Sequence, residues 1–251
     1  MNGIALKKIF SVTRHIFMRI VDFVWYNTWV RYNNSTENQR WYMSIRFSFD
    51  YRKATQALNY FAIKEGGRIN KMKALKLIFL ADRYHLRKYG RLITNDNYLA
   101  MQHGPVPSVT KDIAESNDYL NDESKDYSIE YIEPINNLNL SSIKNVDKGV
   151  FSETDIEALQ FSWDAFGHYD QFQLRDITHS YPEWAKYKKR ITIGSCYPIN
   201  VLDFLKDPVE SVDKSLKLKE KDHKMFALSS EDRDIKKETL TERSFIESLW
   251  R

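Results

Sequence analysis

The chain has 251 residues, of which 42% are hydrophobic and 29% charged, and this balance excludes a wholly disordered protein. Its single cysteine, Cys196, excludes a disulfide framework and is typical of a reducing compartment, so a cytoplasmic location is expected. The net charge of +4 lies entirely within residues 1–42, and the remaining residues are neutral overall. A nucleic-acid-binding domain normally carries its basic excess in the folded body, so this distribution disfavours nucleic acid as a partner.

The N-terminal extension, residues 1–42, is apolar and basic. Between residues 4 and 30 a wide apolar arc repeats at helical spacing beside a narrow charged face, which predicts an amphipathic helix. Its internal charges disfavour a membrane-spanning helix, and the absence of a small-residue cleavage site disfavours a signal peptide. Two interpretations stay open: packing on the protein or a partner, and membrane contact with Trp25 and Trp29 at the lipid surface. A third interpretation is that translation begins at Met43 and that residues 1–42 are an upstream extension.

Two helices are predicted at the start of the body. Asp50 is placed as the N-cap of a helix whose apolar positions repeat at helical spacing until a glycine pair ends it. Asn70 is placed as the cap of a second helix, which reaches Tyr89 before Gly90 stops it.

A small β element is predicted after these helices. YSIEYIEP (127–134) alternates in polarity and predicts a short strand, with a partner in LNLSSIKNV (138–146). The predicted fold class is mainly α (α+β), a compact helical domain over residues 43–207 with a small β-hairpin or short sheet. The N-terminal amphipathic helix precedes this domain, and a charged, partly helical tail over residues 208–251 follows it.

Later signals also favour helices. Ser152 and Asp155 form the pattern of a capping box, which predicts a helix that ends at Gly167. Pro182 and Pro198 are each placed in the first turn of a further helix.

The sequence GPVPS contains the most restricted backbone in the chain. Gly104 allows a close backbone approach, and Pro105 and Pro107 fix φ and remove two hydrogen-bond donors, so the segment is predicted to be extended and rigid. Ser108 is placed as the cap of a short helix. A catalytic loop needs positioned donors or a nucleophile, so this turn favours scaffolding, and the neighbouring His103 is interpreted as structural.

Asp82 is unusual because it lies in the apolar arc of the second predicted helix. A buried carboxylate must be hydrogen-bonded, so the favoured interpretation is that Asp82 accepts backbone N–H bonds from a nearby turn and His85 completes the network. A metal or acid–base site that adds His103 or His179 stays open as an alternative. No metal-ligand spacing is recognisable, so neither a metal nor another cofactor is expected.

The same helix carries four basic residues in one stripe, and these are the candidate partner-binding residues. The favoured interpretation is a solvated face. A helix-turn-helix face directed at phosphates and a docking surface for an acidic protein also stay open. The four residues are Lys73, Lys76, Arg83 and Arg87.

A long motif covers residues 76–108, KLIFLADRYHLRKYGRLITNDNYLAMQHGPVPS. It joins a helix end of the form L-A-D-x-x-H-L-x-x-Y-G-R to a turn of the form Y-x-A-M-x-x-G-P-V-P, and the later LRDITHSYPEW also fits. The sequence thereby resembles the Panacea domain, the SocA-like antitoxin family, over roughly residues 44–205. The positions taken as its structural signature are Asp82, His85, Tyr89, Gly90, Arg91, Tyr98, Met101, Gly104, Pro105, Pro107, His179 and Trp184.

This resemblance implies a mainly helical protein with a small β element. It also implies an antitoxin that neutralises a toxin encoded beside it by direct protein–protein binding, so the expected partner is a cognate toxin protein. One branch, SocA itself, acts as an adaptor that delivers its toxin to a protease, and in that case a protease would be a second partner. The resemblance implies no catalytic residues, so a non-catalytic binding protein is expected. A metal-dependent enzyme and a nucleic-acid-binding regulator also stay open but are less favoured.

Overall fold

The computed structural model describes residues 45, 47–207 and 228–250; the predictions for residues 1–42 and for Met43 lie outside them. The α-helices are α1 (Tyr51–Lys64), α2 (Lys71–Tyr89), α3 (Ser108–Glu115), α4 (Asp122–Tyr131), α5 (Glu153–Phe166), α6 (Gln171–His179), α7 (Pro182–Ala185) and α8 (Ser230–Ser248). The strands are β1 (Arg68–Asn70), β2 (Tyr98–Met101), β3 (Gly104–Pro107), β4 (Ile132–Pro134), β5 (Asn139–Ser142) and β6 (Tyr197–Pro198). Short 3-10 helices cover Lys148–Val150 and Val201–Leu205. The described fold is mainly α with two small three-stranded antiparallel sheets, ordered β1-β5-β4 and β3-β2-β6, so the predicted class is confirmed.

The predicted caps define the first two helices. The Asp50 side chain accepts a hydrogen bond from the Lys53 amide, and the Asn70 side chain accepts one from the Lys73 amide. Gly90 ends α2 in the left-handed conformation, with φ of 74°. Helix α2 is buried around nearly its whole circumference, because α1, α5, α6 and β3 all pack against it. It is therefore the central helix of the domain.

Phe79 on α2 joins the hairpin to the C-terminal part of the domain. Its ring lies 5.8 Å from that of Tyr98, 6.1 Å from that of Tyr181 and 5.4 Å from that of Phe204. These aromatic contacts place β2, the start of α7 and the second 3-10 helix around one buried side chain.

The GPVP segment is one arm of a β-hairpin, which the sequence prediction did not include. Strand β3 pairs antiparallel with β2, with Ala100 opposite Pro105 and Tyr98 opposite Pro107, and two residues form the turn between the strands. Strand β3 lies at the edge of its sheet, where prolines are tolerated because a missing N–H removes no bond from a second neighbour. The prediction of an extended segment was correct.

The predicted strand over residues 127–134 was only partly correct. Ile132–Pro134 form β4 and pair with β5 in the predicted partner segment, but the first five residues of the stretch belong to α4. Helix α4 begins earlier, where the Asn121 side chain accepts a hydrogen bond from the Ser124 amide and two acidic residues occupy the first turn. These start signals outweigh the local alternation in polarity.

Two predicted helix starts were wrong, and two were confirmed. Pro198 lies in strand β6, opposite Leu99, and does not begin a helix. Ser108 is the first residue of α3 and does not cap it. The amides of Val109 and Thr110 donate instead to the Asp96 carboxylate. Ser152 and Asp155 form the predicted capping box of α5, and Pro182 lies in the first turn of α7.

Helix α8 follows the undescribed residues 208–227 and packs on the domain through few side chains. Leu240 is fully buried, Glu247 accepts a hydrogen bond from the Ser48 amide, and Arg243 lies over the Phe47 ring. Phe245 and other apolar side chains at the end of the helix are exposed. Across the residues described, no helix combines the length and the hydropathy that crossing a membrane requires.

Candidate functional site

The Asp82 carboxylate fixes the segment that leads into the hairpin. It accepts hydrogen bonds from the Ile93 amide at 2.5 Å, the Thr94 amide at 3.3 Å, the Thr94 hydroxyl at 2.7 Å and the Tyr98 hydroxyl at 2.7 Å. Burial raises the pKa of Asp82, and the four donated bonds oppose that rise. The backbone donors are those that the sequence analysis expected from a nearby turn.

His85 does not belong to this network, so the predicted link between His85 and Asp82 was wrong. Its Nδ1 lies 2.8 Å from the Arg91 carbonyl and its Nε2 lies 3.0 Å from the Thr154 hydroxyl. A carbonyl only accepts, so Nδ1 carries the proton and Nε2 accepts from Thr154. Desolvation lowers the pKa of His85 to about 4, although Asp155 lies 3.3 Å away, and the imidazole is neutral at pH 7.

The residues at the end of α2 connect it to α5. The Tyr89 hydroxyl donates to Glu157, and Arg91 forms an ion pair of 2.7 Å with Asp155 after the left-handed turn at Gly90. The local motif Y-G-R therefore fixes the direction in which the chain leaves the central helix.

The hairpin is also held by the motif residues His179, at the end of α6, and Trp184, in α7. The Trp184 indole N–H donates to the Met101 carbonyl at 2.8 Å. His179 stacks on Trp184, with ring centroids 3.6 Å apart and planes 3° apart. Burial, together with the nearby Lys76 charge, lowers the pKa of His179 to about 4. Trp184 therefore contacts the hairpin directly, and His179 contacts Trp184.

Gly104 is required by the packing of the hairpin on α2 and α6. Its φ is +100°, and a Cβ at this position would lie 2.8 Å from Lys76 Nζ and 2.9 Å from Thr178 Oγ1. The same Lys76 ammonium donates to the Pro105 carbonyl at 2.7 Å. The hairpin backbone consequently lies directly against the central helix.

The hypothesis of a metal or acid–base site gains no support from this geometry. Asp82, His85 and His179 each have separate partners, and His103 is exposed at the hairpin turn. Within the described ranges, no group of three or more His, Cys, Asp or Glu side chains is arranged to hold a metal ion.

The four basic residues of α2 do not form a solvated face, so that prediction was wrong. All are buried, because neighbouring elements enclose the central helix. Lys73 pairs with Glu65, Arg83 with Glu183, and Arg87 with Asp207. Lys76 instead lies under the hairpin and reaches the surface only through a groove.

This groove, here called the hairpin groove, has a volume of about 500 Å³ and is the candidate site for a partner. It lies between the start of α2, the hairpin turn, α3, the start of α6 and the loop before β5, and its lining is predominantly apolar. Two apolar side chains in it are strongly exposed, Leu138 at 66% and Phe172 at 52%. The residues lining the hairpin groove include Lys71, Met72, Leu75, Lys76, Met101, His103, Val106, Lys111, Glu115, Leu138 and Phe172.

The charged side chains of the hairpin groove are mainly cationic. Glu115 is its one lining carboxylate among the described residues, and it pairs with Lys111 at 2.5 Å. Lys71 is only 7% exposed, and its ammonium forms no hydrogen bond or ion pair with any described residue. Desolvation lowers the pKa of Lys71, and burial lowers that of Lys76 to about 7. The groove therefore combines apolar walls with ammonium groups that have few partners.

Lys71, Leu138 and Phe172 were not predicted from the sequence to be site residues. Met101 was predicted as part of the motif but was not assigned to a surface. For Phe172 the available signal was local, because this apolar residue lies in the first turn of α6, two residues after the Asp170 cap.

Comparison with known proteins gives one result for the region that contains the hairpin. No curated protein and no solved structure matches the chain. Residues 75–185 match the family model described as antitoxin SocA-like, Panacea domain. The match begins in α2, includes both strands of the hairpin and ends with α7. The resemblance recognised in the sequence is therefore confirmed by this match over residues 75–185.

Proposed function

We propose that this chain is the antitoxin of a toxin–antitoxin pair and that it neutralises its cognate toxin in the cytoplasm by direct protein–protein binding. The observation that carries the proposal is the match of residues 75–185 to an antitoxin family. The arrangement of the motif residues supports it, because Asp82, Gly104 and Trp184 shape and hold a hairpin whose turn is exposed.

The hairpin groove supports a role in binding. Exposed apolar side chains that line one open concave surface mark interaction sites more often than isolated exposed ones do. Covering Leu138 and Phe172 would remove apolar area from water, which is the main favourable term in protein association. A toxin protein that covers this surface would gain affinity from that burial.

Co-expression tests the proposal. The open reading frame encoded beside this one is expressed alone and together with this chain, growth is recorded, and the complex is isolated by affinity purification. We expect the neighbouring protein to stop growth, this chain to restore growth, and the two proteins to purify together. Growth restored without a complex, while the level of the neighbouring protein falls, would replace neutralisation by binding with delivery to a protease. A neighbour that is harmless, or that this chain does not counteract, would contradict the antitoxin role.

A further inference from the structure

The start of α2 brings an unpaired positive charge into an apolar groove. Lys71 is the first residue of α2, directly after the Asn70 cap, and it lines the groove. Its side chain forms no hydrogen bond or ion pair with a described residue, and Glu115, whose charge acts on it, is paired with Lys111. The ammonium is still reached by solvent from the groove and has no carboxylate of its own among the residues described, so an anionic group from outside could pair with it without displacing a partner.

Lys76 adds a second amino group beneath the hairpin, and burial lowers its pKa to about 7. Its ammonium has three donors and makes one hydrogen bond, to the Pro105 carbonyl, and no described carboxylate pairs with it. An anion bound in the groove would stabilise the charged form of this side chain, because an opposite charge favours ionisation. Both lysines therefore select for the same type of ligand.

The walls of the groove select for apolar groups at the same time. Met72, Met101 and Val106 line it, and Leu138 and Phe172 add strongly exposed apolar side chains to the lining. Methionine side chains adapt to irregular apolar partners. A small anion would leave Leu138 and Phe172 in water, whereas a protein segment would cover them.

We infer that the hairpin groove binds a segment of the toxin protein that presents apolar side chains together with a carboxylate, and that this carboxylate pairs with Lys71. The inference rests on the proposed antitoxin function and names the surface and the chemistry that the function would use. The carboxylate compensates the Lys71 charge, and the apolar side chains of the segment cover Leu138 and Phe172.

The contribution of the apolar side chains of the groove to toxin binding is tested with matched substitutions in the full chain. Phe172→Asp and Leu138→Asp place a carboxylate in the groove, whereas Phe245→Asp and Leu249→Asp change side chains of nearly equal exposure, 50% and 64%, on or next to α8. The dissociation constant for the purified neighbouring toxin is measured for each variant, with thermal unfolding as a check of folding. We expect each groove variant to bind at least about tenfold more weakly and each control variant to bind as the wild type does. Unchanged binding by both groove variants would overturn the inference.

The ion pair between Lys71 and the toxin carboxylate is tested by Lys71→Met, which keeps the apolar stem of the side chain and removes its charge. Lys237→Met, at an exposed position of α8, is the control. We expect Lys71→Met to weaken the complex about tenfold. We also expect added salt to reduce the affinity of the variant less than that of the wild type, because the variant lacks the ion pair that salt screens. The same salt dependence in Lys71→Met and the wild type would contradict a carboxylate at Lys71.

A photo-crosslinking amino acid at position 172 identifies what occupies the groove. A crosslink to the toxin in the assembled complex is expected. A crosslink between two copies of this chain, or none although the complex has formed, would overturn the assignment of the groove and leave the antitoxin function standing. If the wild-type chain forms no complex at all, the proposed function fails first.

Discussion

At the scale of single residues, the Asp82 carboxylate connects the central helix to the hairpin through four accepted hydrogen bonds. We predict that Asp82→Ala lowers the free energy of unfolding by about 3–5 kcal/mol, because it leaves buried donors of Ile93, Thr94 and Tyr98 without an acceptor. Urea unfolding followed by tryptophan fluorescence measures this change. Asp118→Ala, at a side chain that is 98% exposed, is the control and should have little effect. An Asp82→Ala protein as stable as the wild type would contradict the structural role.

His179 gives a second prediction at this scale, for the dependence of stability on pH. Its pKa is lowered from 6.5 to about 4 in the folded protein, so the unfolded chain binds a proton between these values where the native state does not. The contribution of His179 to stability is therefore present above about pH 6.5 and is lost as the pH falls towards about 4.

The variant His179→Phe keeps a ring to stack on Trp184 and removes the titrating group. We expect its free energy of unfolding to fall less between pH 6.5 and pH 4 than that of the wild type. His168→Phe, at an exposed histidine, should behave as the wild type does. Since His85 and Asp96 also titrate with shifted pKa values, the comparison is made between variants and not from the wild-type curve alone. Equal pH dependence of His179→Phe and the wild type would contradict the assignment.

The sequence could predict the kind of hydrogen-bond partners that Asp82 has, but not the partners of His85. A carboxylate in an apolar arc must find donors, and the following turn supplies them within 16 residues. The partners of His85 are Arg91 and Thr154, and the second lies 69 residues away in the chain, so no local pattern indicated it.

At the scale of elements, the hairpin is placed against α2 at Gly104. We predict that Gly104→Ala destabilises the protein by about 1–3 kcal/mol, because alanine is strained at φ of +100° and its Cβ would displace Lys76 or Thr178. Gly90→Ala is the matched control: Gly90 also has positive φ, but nothing lies within 4 Å of the added Cβ. Urea midpoints of both variants measure the difference. A Gly104→Ala protein no less stable than Gly90→Ala would contradict the close packing.

Helices with strong caps could be predicted from the sequence, and the β elements only partly. The starts of α1, α2 and α5 follow from side chains that accept hydrogen bonds from amides three residues on, which is local chemistry. The hairpin was missed because two prolines in four residues are rare in a strand, and only the edge position of β3 permits them. The start of α4 lay ahead of the alternating stretch that was interpreted as a strand.

At the scale of the whole molecule, the family could be recognised from the sequence, and the groove could not. The motif is continuous over residues 76–108, so a single stretch identifies the domain. The groove combines Lys71, Met101, Leu138 and Phe172 from four separate segments, and their proximity depends on the packing of α6 and the loop before β5 beside the hairpin. The same packing buries the basic stripe of α2, which the sequence analysis took as a solvated face.

The two proposals together require that this chain neutralises a toxin by binding it through the hairpin groove. The most direct test records growth of cells that express the adjacent open reading frame together with the wild type, Phe172→Asp or Phe245→Asp, with equal levels of the three proteins verified. We predict that the wild type and Phe245→Asp restore growth and that Phe172→Asp does not. Growth restored equally by all three would contradict the groove as the binding surface, and growth restored by none would contradict the antitoxin function itself.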